Sequence, residues 1–312
     1  MPEAAQTSAT ASVNRPSESS PRVLALFGPT SVGKTGVAIE MARILRRRGE
    51  DPVAVNCDSI QIYRGLEVIS GAADRAQQEQ LEHRLVGFVD PDREMSAGRF
   101  AAIAHAEIDD LVESGRLPIV VGGTGLWLRA ALSDLDLLPP VDGSVREEVE
   151  RDLENRGSEA LHAELPVRLS GRVHPNDRNR IARWTALIQC GLEPETDSSG
   201  MWQADLRHPT RLVGLIDDRD AIGRRIDQRV DAMYPSATEE ARSLLESGPS
   251  RTARAAIGVD GFISGDLSSV KAEHRAYAKR QITWMKKMSG VEIINREGAA
   301  DAEVAARILD ER

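Results

Sequence analysis

The feature that most constrains the fold is a glycine-bounded loop within the segment "VLALFGPTSVGKTGVAIEMARIL", residues 23–45. A short apolar run precedes the loop, and apolar residues at helical spacing follow it. The loop, Gly28–Thr35, fits the pattern G-x-x-x-x-G-K-[ST], in which backbone N–H groups at a helix N-terminus converge on a phosphate. The segment therefore predicts a strand, a phosphate-binding loop and a helix.

Three further apolar runs predict buried strands, and amphipathic helical patterns lie between them. The runs are "PVAVNC" from Pro52, "LPIVVGG" from Leu117 and "RLVGLID" from Arg211. Continuous apolar strands that alternate with helices are typical of a parallel sheet covered on both faces. We therefore predict an α/β fold with a P-loop-type parallel sheet flanked by helices. Ligands of such sheets bind at the carboxyl ends of the strands.

Changes in composition divide the chain into segments. Residues 1–21 are rich in Ser, Thr, Ala and Pro and predict a disordered tail. Residues 133–205 carry charged helical patterns without a convincing strand, which predicts a helical insertion domain. The catalytic core is then expected over residues 22–132 and 206–290, and residues 291–312 are expected to form a C-terminal helix or tail.

Bulk properties limit the environment and the partners. The net charge of −9 provides no overall positive field for nucleic acid, so a polyanion would need local basic patches. The two cysteines, Cys57 and Cys190, indicate a reduced compartment without a disulfide framework. No apolar run approaches the roughly 18 residues of a membrane span. We expect a cytoplasmic protein without a membrane partner.

The residues of the loop predict phosphate chemistry, but the partner strands do not complete a nucleotide site. Lys34 supplies a positive charge and the Thr35 hydroxyl can hold Mg²⁺. Nucleotide kinases and hydrolases usually end another core strand in an acidic residue, whereas the strand before Thr124 ends in "GGTG". Asp58 remains as a general base or metal carboxylate, or alternatively as a turn cap. Thr124 could contact a substrate, cap the next helix, or do both.

Two basic stretches interrupt the acidic chain. Five arginines lie within Arg168–Arg183, where Asp177 is the only acid, and they could face a phosphate backbone. The stretch Lys271–Lys287 carries six basic residues, with Tyr277 and Trp284 interleaved. The alternatives are solvated helix faces with ion pairs and, for Trp284, packing in the core.

An ordered set of motifs resembles one family. The motifs are "GPTSVGKT", "DSIQIYRGLEV", "HRLVGFVDP", "GRLPIVVGGTGLWLRAAL", "HPNDRNRIAR", "RIDQRVDAM", "AIG" and "KRQITWMKK". Together they resemble the tRNA dimethylallyltransferases (tRNA isopentenyltransferases) over about residues 22–288. The resemblance implies transfer of a dimethylallyl group from dimethylallyl diphosphate to N6 of an adenine. In that family this is the adenine just 3′ of the anticodon, at position 37, in tRNAs reading codons that begin with U.

The resemblance also implies roles for individual residues. Asp58, Thr30, Lys34 and Arg225 are the implied catalytic residues, and Thr35 is the implied contact of the Mg²⁺ cofactor. The implied ligands of the donor diphosphate are Gly28, Pro29, Thr30, Ser31, Val32, Gly33, Lys34, Thr35 and Arg219. The implied tRNA contacts are Asp58, Ser59, Ile60, Gln61, Thr124, Arg146, Asn179, Arg180, Ile181, Ala182 and Arg183. The expected partners are the tRNA anticodon stem-loop and dimethylallyl diphosphate, and the enzyme is expected to be a monomer.

Three alternatives remain open from the sequence. The acidic balance, and segments that resemble the adenylate-using branch of the family, would fit a prenyltransferase acting on free AMP, ADP or ATP. The phosphate loop alone would fit a P-loop kinase or ATPase. The basic insertion alone would fit a tRNA-binding protein without catalysis.

Overall fold

The structure is a computed structural model, and it describes residues 21–135, 138–194 and 205–310. The chain divides into two compact units. The core unit comprises Met1–Asp134 and Trp202–Arg312, and the inserted unit comprises Leu135–Met201. The predicted insertion, residues 133–205, contains the inserted unit and exceeds it by a few residues at each end. The predicted tail, residues 1–21, lies outside the described residues except for Pro21.

The core unit is built on a six-stranded sheet. In chain order the strands are β1 (Val23–Phe27), β2 (Pro52–Asn56), β3 (His83–Arg84), β4 (Leu117–Gly122), β5 (Thr210–Ile216) and β6 (Val291–Asn295). The order across the sheet is β3-β2-β4-β1-β5-β6, so β1 lies in the interior between β4 and β5. Every pairing is parallel, and the predicted fold class is confirmed.

Helices connect the strands, and within the described residues none is long and apolar enough to cross a bilayer. Those before the inserted unit are α1 (Lys34–Arg47), α2 (Glu67–Ser70), α3 (Arg75–Gln80), α4 (Ala97–Glu113) and α5 (Gly125–Leu132). The inserted unit contributes α6 (Gly143–Arg156), α7 (Ser158–Glu164), α8 (Val167–Ser170) and α9 (Arg178–Gln189). Those after it are α10 (Arg219–Met233), α11 (Ser236–Glu246), α12 (Arg251–Arg254), α13 (Val259–Ser264), α14 (Leu267–Met285) and α15 (Asp301–Asp310).

Apolar clusters cover both faces of the sheet, because alternate residues of a strand point to opposite faces. Leu24 and Leu26 of β1 belong to a cluster with Met41 of α1 and Ile308 of α15. Phe27 and the other alternate residues of β1 belong to a second cluster, to which α4, α5, α10 and α14 contribute. Strands buried on both faces must be apolar throughout, which explains the continuous runs in the sequence.

The C-terminal segment differs from the prediction. Residues 291–312 are predicted to be a C-terminal helix or tail outside the core; the described part, residues 291–310, forms the helix α15 but also β6, and it belongs to the core unit. β6 pairs with β5, and α15 buries Val304 and Ile308 in the cluster shared with α1. β6 is an edge strand in which only Ile294 is buried, so its sequence shows no continuous apolar run. β3 was also not predicted, because it is only two residues long.

The inserted unit has its own small core and, over residues 138–194, contains helices but no strand. The buried residues of this core include Val149, Leu153, Leu161, Ile181 and Trp184. In the core unit, Ser133 and Leu206 form an antiparallel bridge, and the Arg207 N–H donates to the Leu132 carbonyl at 2.9 Å. The chain therefore leaves and re-enters the core unit at neighbouring points, so the sheet is continuous across the insertion.

Candidate active site

The predicted site residues of the core unit lie where four strands end. The loop Gly28–Thr35 follows β1, Asp58 lies just beyond β2, Thr124 lies beyond β4, and Arg219 begins the helix that follows β5. Parallel strands share their carboxyl edge, which brings these loops together. The hydroxyl oxygens of Ser59 and Thr124, for example, are 3.5 Å apart although they follow different strands.

The phosphate loop adopts a backbone shape that depends on glycine at two positions. Gly33 has a φ of 94°, and Ser31 has a left-handed φ of 61°. A Cβ atom on Gly28 would lie 2.8 Å from the carbonyl oxygen of Leu215, so only glycine lets the loop approach β5 this closely. The Ser31 hydroxyl is buried without a hydrogen-bond partner in the described part of the chain. The loop therefore forms a cradle in which the Ser31 hydroxyl is free to bind a ligand.

Lys34 stands at the start of α1 with its ammonium inside this cradle. Its Nζ donates to the carbonyl oxygens of Gly28 at 2.9 Å and Pro29 at 3.0 Å. Burial lowers the pKa of Lys34 to about 8, the Arg229 guanidinium adds to this effect, and the Asp58 carboxylate opposes it. The site thus holds two cations and one carboxylate close enough to influence one another.

Arg229, on α10, is the second cation of the cradle and was not among the predicted residues. Its Nη1 donates to the Thr30 hydroxyl at 2.9 Å, and its Nη2 donates to the Ser70 carbonyl at 2.9 Å. Burial lowers the pKa of Arg229 below its usual value, and the Asp58 carboxylate opposes this shift. Arg229 therefore joins the phosphate loop to the loop after α2.

The two arginines predicted to contact the diphosphate lie on the same helix as Arg229 and have other surroundings. Arg225 donates from Nη2 to Asp217 Oδ2 at 2.6 Å. The Asp217 side chain is 1% exposed; burial alone would raise the pKa of its carboxyl, but the hydrogen bond from Arg225 contributes to a net lowering. Arg219 is exposed at the first residue of α10. Arg225 and Arg229 lie four residues apart on α10, and their spacing alone could not decide which faces the loop.

Asp58 lies opposite the loop and is held by the turn that follows β2. Its Oδ1 accepts from the Ile60 N–H at 3.0 Å, and its own N–H donates to Asn56 Oδ1 at 3.1 Å. Asn56 is buried and donates to the Leu85 carbonyl at 2.8 Å, which anchors the turn. Oδ1 therefore caps the turn, as the alternative interpretation expected, and this contact holds the carboxyl group in place.

Thr124 lies at the N-cap of α5, but its side chain makes no capping hydrogen bond. Its hydroxyl is instead 3.1 Å from the Tyr277 hydroxyl on α14. Burial raises the pKa of Tyr277, and the Asp58 charge adds to this shift, so Tyr277 stays a phenol. The Arg280 guanidinium lies 5.7 Å from the centre of the Tyr277 ring. Asp58, Thr124 and Tyr277 thus form a polar wall beside the phosphate loop.

Gln281 connects the loops after β1 and β4 and was missed by the sequence analysis. It is buried, its Oε1 accepts from the Thr30 N–H at 2.8 Å, and its Nε2 donates to the Gly123 carbonyl at 2.8 Å. A Cβ atom on Gly123 would lie 2.2 Å from Nε2 of Gln281, so the glycine is needed for this contact. The glycines of "GGTG" were the only signal in the sequence that another group comes close here.

Two other predicted substrate contacts line the turn after Asp58. Gln61 donates from Nε2 to the Gly71 carbonyl at 3.2 Å, and Ile60 packs partly buried against the larger apolar cluster. Both lie between the Asp58 turn and the segment that Arg229 contacts at Ser70. Their contact with a substrate remains a prediction.

In the inserted unit, the predicted tRNA contacts have different surroundings. Ile181 is fully buried in the apolar core of the unit, so its side chain is not available to RNA. Arg183 donates to the Leu138 carbonyl at 3.1 Å and holds the start of the unit in place. Arg180 is exposed, with its Nε 3.6 Å from Asp177 Oδ2, and Asn179 is exposed beside it. Ala182 is partly buried and Arg146 lies partly buried on α6.

The second basic stretch is partly neutralised by α10. Lys271 forms an ion pair with Asp231 at 2.7 Å, and Arg275 forms one with Asp227 at 2.5 Å. Trp284 packs against the larger apolar cluster, as the core-packing alternative expected. Lys279 is exposed on α14, and Lys286 and Lys287 are exposed just after the end of that helix.

Comparisons with known proteins agree with the geometry. A family model described as IPP transferase matches residues 61–288. A tRNA dimethylallyltransferase from Exiguobacterium sp. is 39% identical over 279 residues, covering 85% of this chain and 87% of the relative. One from Anaeromyxobacter sp. is 37% identical over 302 residues, covering 92% of this chain and 98% of the relative.

Solved structures show the same fold. The full-length tRNA isopentenylpyrophosphate transferase from Bacillus halodurans superposes with a TM-score of 0.64 at 26% identity, covering 94% of this chain and 97% of that one. A eukaryotic dimethylallyltransferase gives a TM-score of 0.72 at 21% identity, covering 94% and 80%. The family expected from the motifs is confirmed, and the chain belongs to the IPP transferase family.

Proposed function

We infer that the chain is a tRNA dimethylallyltransferase, an enzyme that transfers the dimethylallyl group of dimethylallyl diphosphate to N6 of an adenine in tRNA. Relatives with that name match most of this chain and most of their own length. The observation that carries the inference is a phosphate loop that contains Lys34, is bonded by Arg229 and shares one edge of the sheet with the Asp58 carboxylate. We propose adenine 37 of tRNAs reading codons that begin with U as the acceptor.

The loop suits a leaving diphosphate. As the bond between the allylic carbon and oxygen breaks, its electron pair leaves with the diphosphate and positive charge develops on the carbon. Donors and cations already in place for that anion lower the barrier. We propose that Lys34, the Ser31 hydroxyl and Arg229, through its bond to Thr30, act in this way.

The acceptor side suits an adenine amine. In the proposed step the N6–carbon bond forms as the carbon–oxygen bond breaks, and the N6 proton passes to the Asp58 carboxylate. Its Oδ1 is already bound to the Ile60 N–H, which fixes the carboxyl orientation. The Thr124–Tyr277 pair would orient the base, and the target adenine must leave the anticodon-loop stack to reach it.

We propose Mg²⁺ as a cofactor bound jointly by the protein and the donor. In the described ranges no group of three or more His, Cys, Asp or Glu side chains could hold a metal by itself. The Thr35 hydroxyl, in the first turn of α1, is an oxygen of the kind that holds Mg²⁺ beside a phosphate loop, and phosphate oxygens of the donor would supply further ligands. Thr35 would be the protein contact, and the ion would neutralise charge on the departing diphosphate.

We propose that the inserted unit binds the anticodon stem-loop through the exposed end of α9. Arg180 and Asn179 are exposed there, and Arg180 could contact a backbone phosphate. A cytoplasmic monomer is part of the proposal, since one chain carries both the donor loop and the acceptor carboxylate. Light scattering of the purified protein, alone and with tRNA, tests the monomer.

The test is prenyl transfer from labelled dimethylallyl diphosphate to an unmodified tRNA with adenines at positions 36 and 37. The matched control is the same tRNA with guanine at position 37, and a third reaction contains AMP instead. We expect product with the first tRNA alone. Turnover of AMP without product on tRNA, or Lys34-dependent release of phosphate from ATP, would contradict the assignment.

A further inference from the structure

The C-terminal segment reaches the back of the phosphate loop. Arg296 directly follows β6, and its N–H donates to the Ile216 carbonyl at 2.9 Å, which continues the pairing of β6 with β5. Its side chain turns inward, and the residue is only 6% exposed. Nη1 donates to the Val32 carbonyl at 2.7 Å, and Nη2 donates to the Ala299 carbonyl at 2.8 Å. A buried guanidinium therefore supports the loop from the side of β6 and α15.

The bond to Val32 determines the direction of the next N–H group. In a trans peptide the carbonyl and the following N–H point in opposite directions. With the Val32 carbonyl held by Arg296, the N–H of Gly33 points away from Arg296. A Cβ atom on Gly33 would lie 2.1 Å from Nη1 of Arg296, so the guanidinium packs directly against this peptide.

Asp301 forms an ion pair with Arg296 beside the phosphate loop. Its Oδ1 is 2.7 Å from Arg296 Nη2. Its Oδ2 would lie 1.9 Å from a Cβ atom on Gly36, so the carboxylate lies against the first turn of α1. A carboxylate behind this turn opposes anion binding at the front, and the paired guanidinium cancels that charge.

We propose that Arg296 is a positioning residue that sets the affinity of the loop for the donor diphosphate without touching it. It orients the Val32–Gly33 peptide and neutralises Asp301. The identity of the anion rests on the proposed function, whereas the effect on anion affinity does not. The C-terminal segment, which lies outside the residues matched by the family model, is on this account part of the donor site.

The test compares Arg296→Met with Arg296→Lys and with the control Arg48→Met. Arg48 bonds Asp310 at 2.6 Å and the Leu309 carbonyl at 3.3 Å, so it also joins α1 to α15, but at the opposite end of α1 from the loop. Binding of inorganic pyrophosphate is measured by calorimetry, and KM is measured for donor and for tRNA. Hydrogen exchange of residues 28–35 reports the order of the loop.

We expect Arg296→Met to weaken pyrophosphate binding and raise the donor KM roughly tenfold or more, the effect of about one hydrogen bond to a charged group. The tRNA KM should stay within about twofold. Arg296→Lys should recover part of the affinity, because lysine keeps the charge but lacks the planar, forked guanidinium that reaches both the Val32 and the Ala299 carbonyls. Arg48→Met should bind pyrophosphate within about twofold of the unmodified protein.

Unchanged pyrophosphate affinity in folded Arg296→Met, or an equal loss in Arg48→Met, would overturn the proposal. If Arg296→Met does not fold, Arg296→Lys provides the test. The proposal would also be overturned if Arg296→Lys bound pyrophosphate as tightly as the unmodified protein and showed the same hydrogen exchange in residues 28–35. Because pyrophosphate binding requires no prenyl transfer, loss of binding in a protein that modifies no tRNA would support the role of Arg296 and contradict only the proposed function.

Discussion

Replacing Arg229 should weaken donor binding while leaving the fold intact. Arg229→Met deletes the guanidinium that bonds the Thr30 hydroxyl and the Ser70 carbonyl. Two other arginines of α10 provide matched variants. Arg225→Met removes the partner of Asp217, and Arg224→Met changes an exposed residue. The three variants of α10 therefore distinguish a residue of the donor site, a residue that stabilises the fold and an exposed residue with neither role.

The expected magnitudes follow from the contacts. A hydrogen bond to a charged group contributes about 1.5–3 kcal/mol, so Arg229→Met should lower kcat/KM for the donor roughly 10- to 150-fold. Arg225→Met leaves the Asp217 carboxylate, which is 1% exposed, without its guanidinium. Loss of this hydrogen bond to a charged group should cost about 1.5–3 kcal/mol of the free energy of unfolding, with little effect on donor binding. Arg224→Met should change neither quantity.

The assay is steady-state prenyl transfer at varied donor concentration and saturating tRNA, together with urea unfolding of each variant. The reasoning is refuted if Arg229→Met keeps the donor kcat/KM of the unmodified enzyme. It is equally refuted if Arg225→Met loses donor kcat/KM without losing stability, since that result would return the diphosphate role to Arg225.

Four further predictions concern single groups. Asp58→Asn should lower kcat by on the order of 10²–10⁴ while pyrophosphate affinity is kept, and a near-normal kcat would exclude Asp58 as the base. Burial lowers the pKa of Lys34 to about 8, so its ammonium loses a proton as the pH rises through that value. The kcat/KM for the donor should therefore fall about tenfold per pH unit above the pKa. A kcat/KM that stays constant up to about pH 10 would contradict this. Tyr277→Phe removes the bond to Thr124 and should raise the tRNA KM or lower kcat about fivefold, the effect of about 1 kcal/mol, with an unchanged donor KM as the internal control. Arg180→Ala should weaken tRNA binding and reduce the slope of its salt dependence by about one. Arg183→Ala loses the bond to the Leu138 carbonyl and should mainly lower the free energy of unfolding. Equal salt slopes for the unmodified protein and both variants would contradict the role of Arg180.

Local sequence patterns specify the parts of this protein that depend on neighbours along the chain. The spacing of Gly28, Gly33, Lys34 and Thr35 specifies a phosphate loop between a strand and a helix, because the loop geometry is local. Continuous apolar runs specify strands buried on both faces, and the parallel sheet follows from them. The ordered motifs indicated the family to which the chain belongs.

The side chains that complete the site are selected by the packing of distant elements. Arg229 and Thr30 are 199 residues apart in the chain, and Gln281 and Thr30 are 251 apart. Arg296 and Val32, at 264 residues apart, are joined by a segment that the sequence left outside the core. Helical spacing shows that Arg225 and Arg229 share a region of α10, but only the packing of α10 in the core unit determines which of them faces the loop. Such contacts depend on the final positions of distant elements, and no pattern within one segment records them.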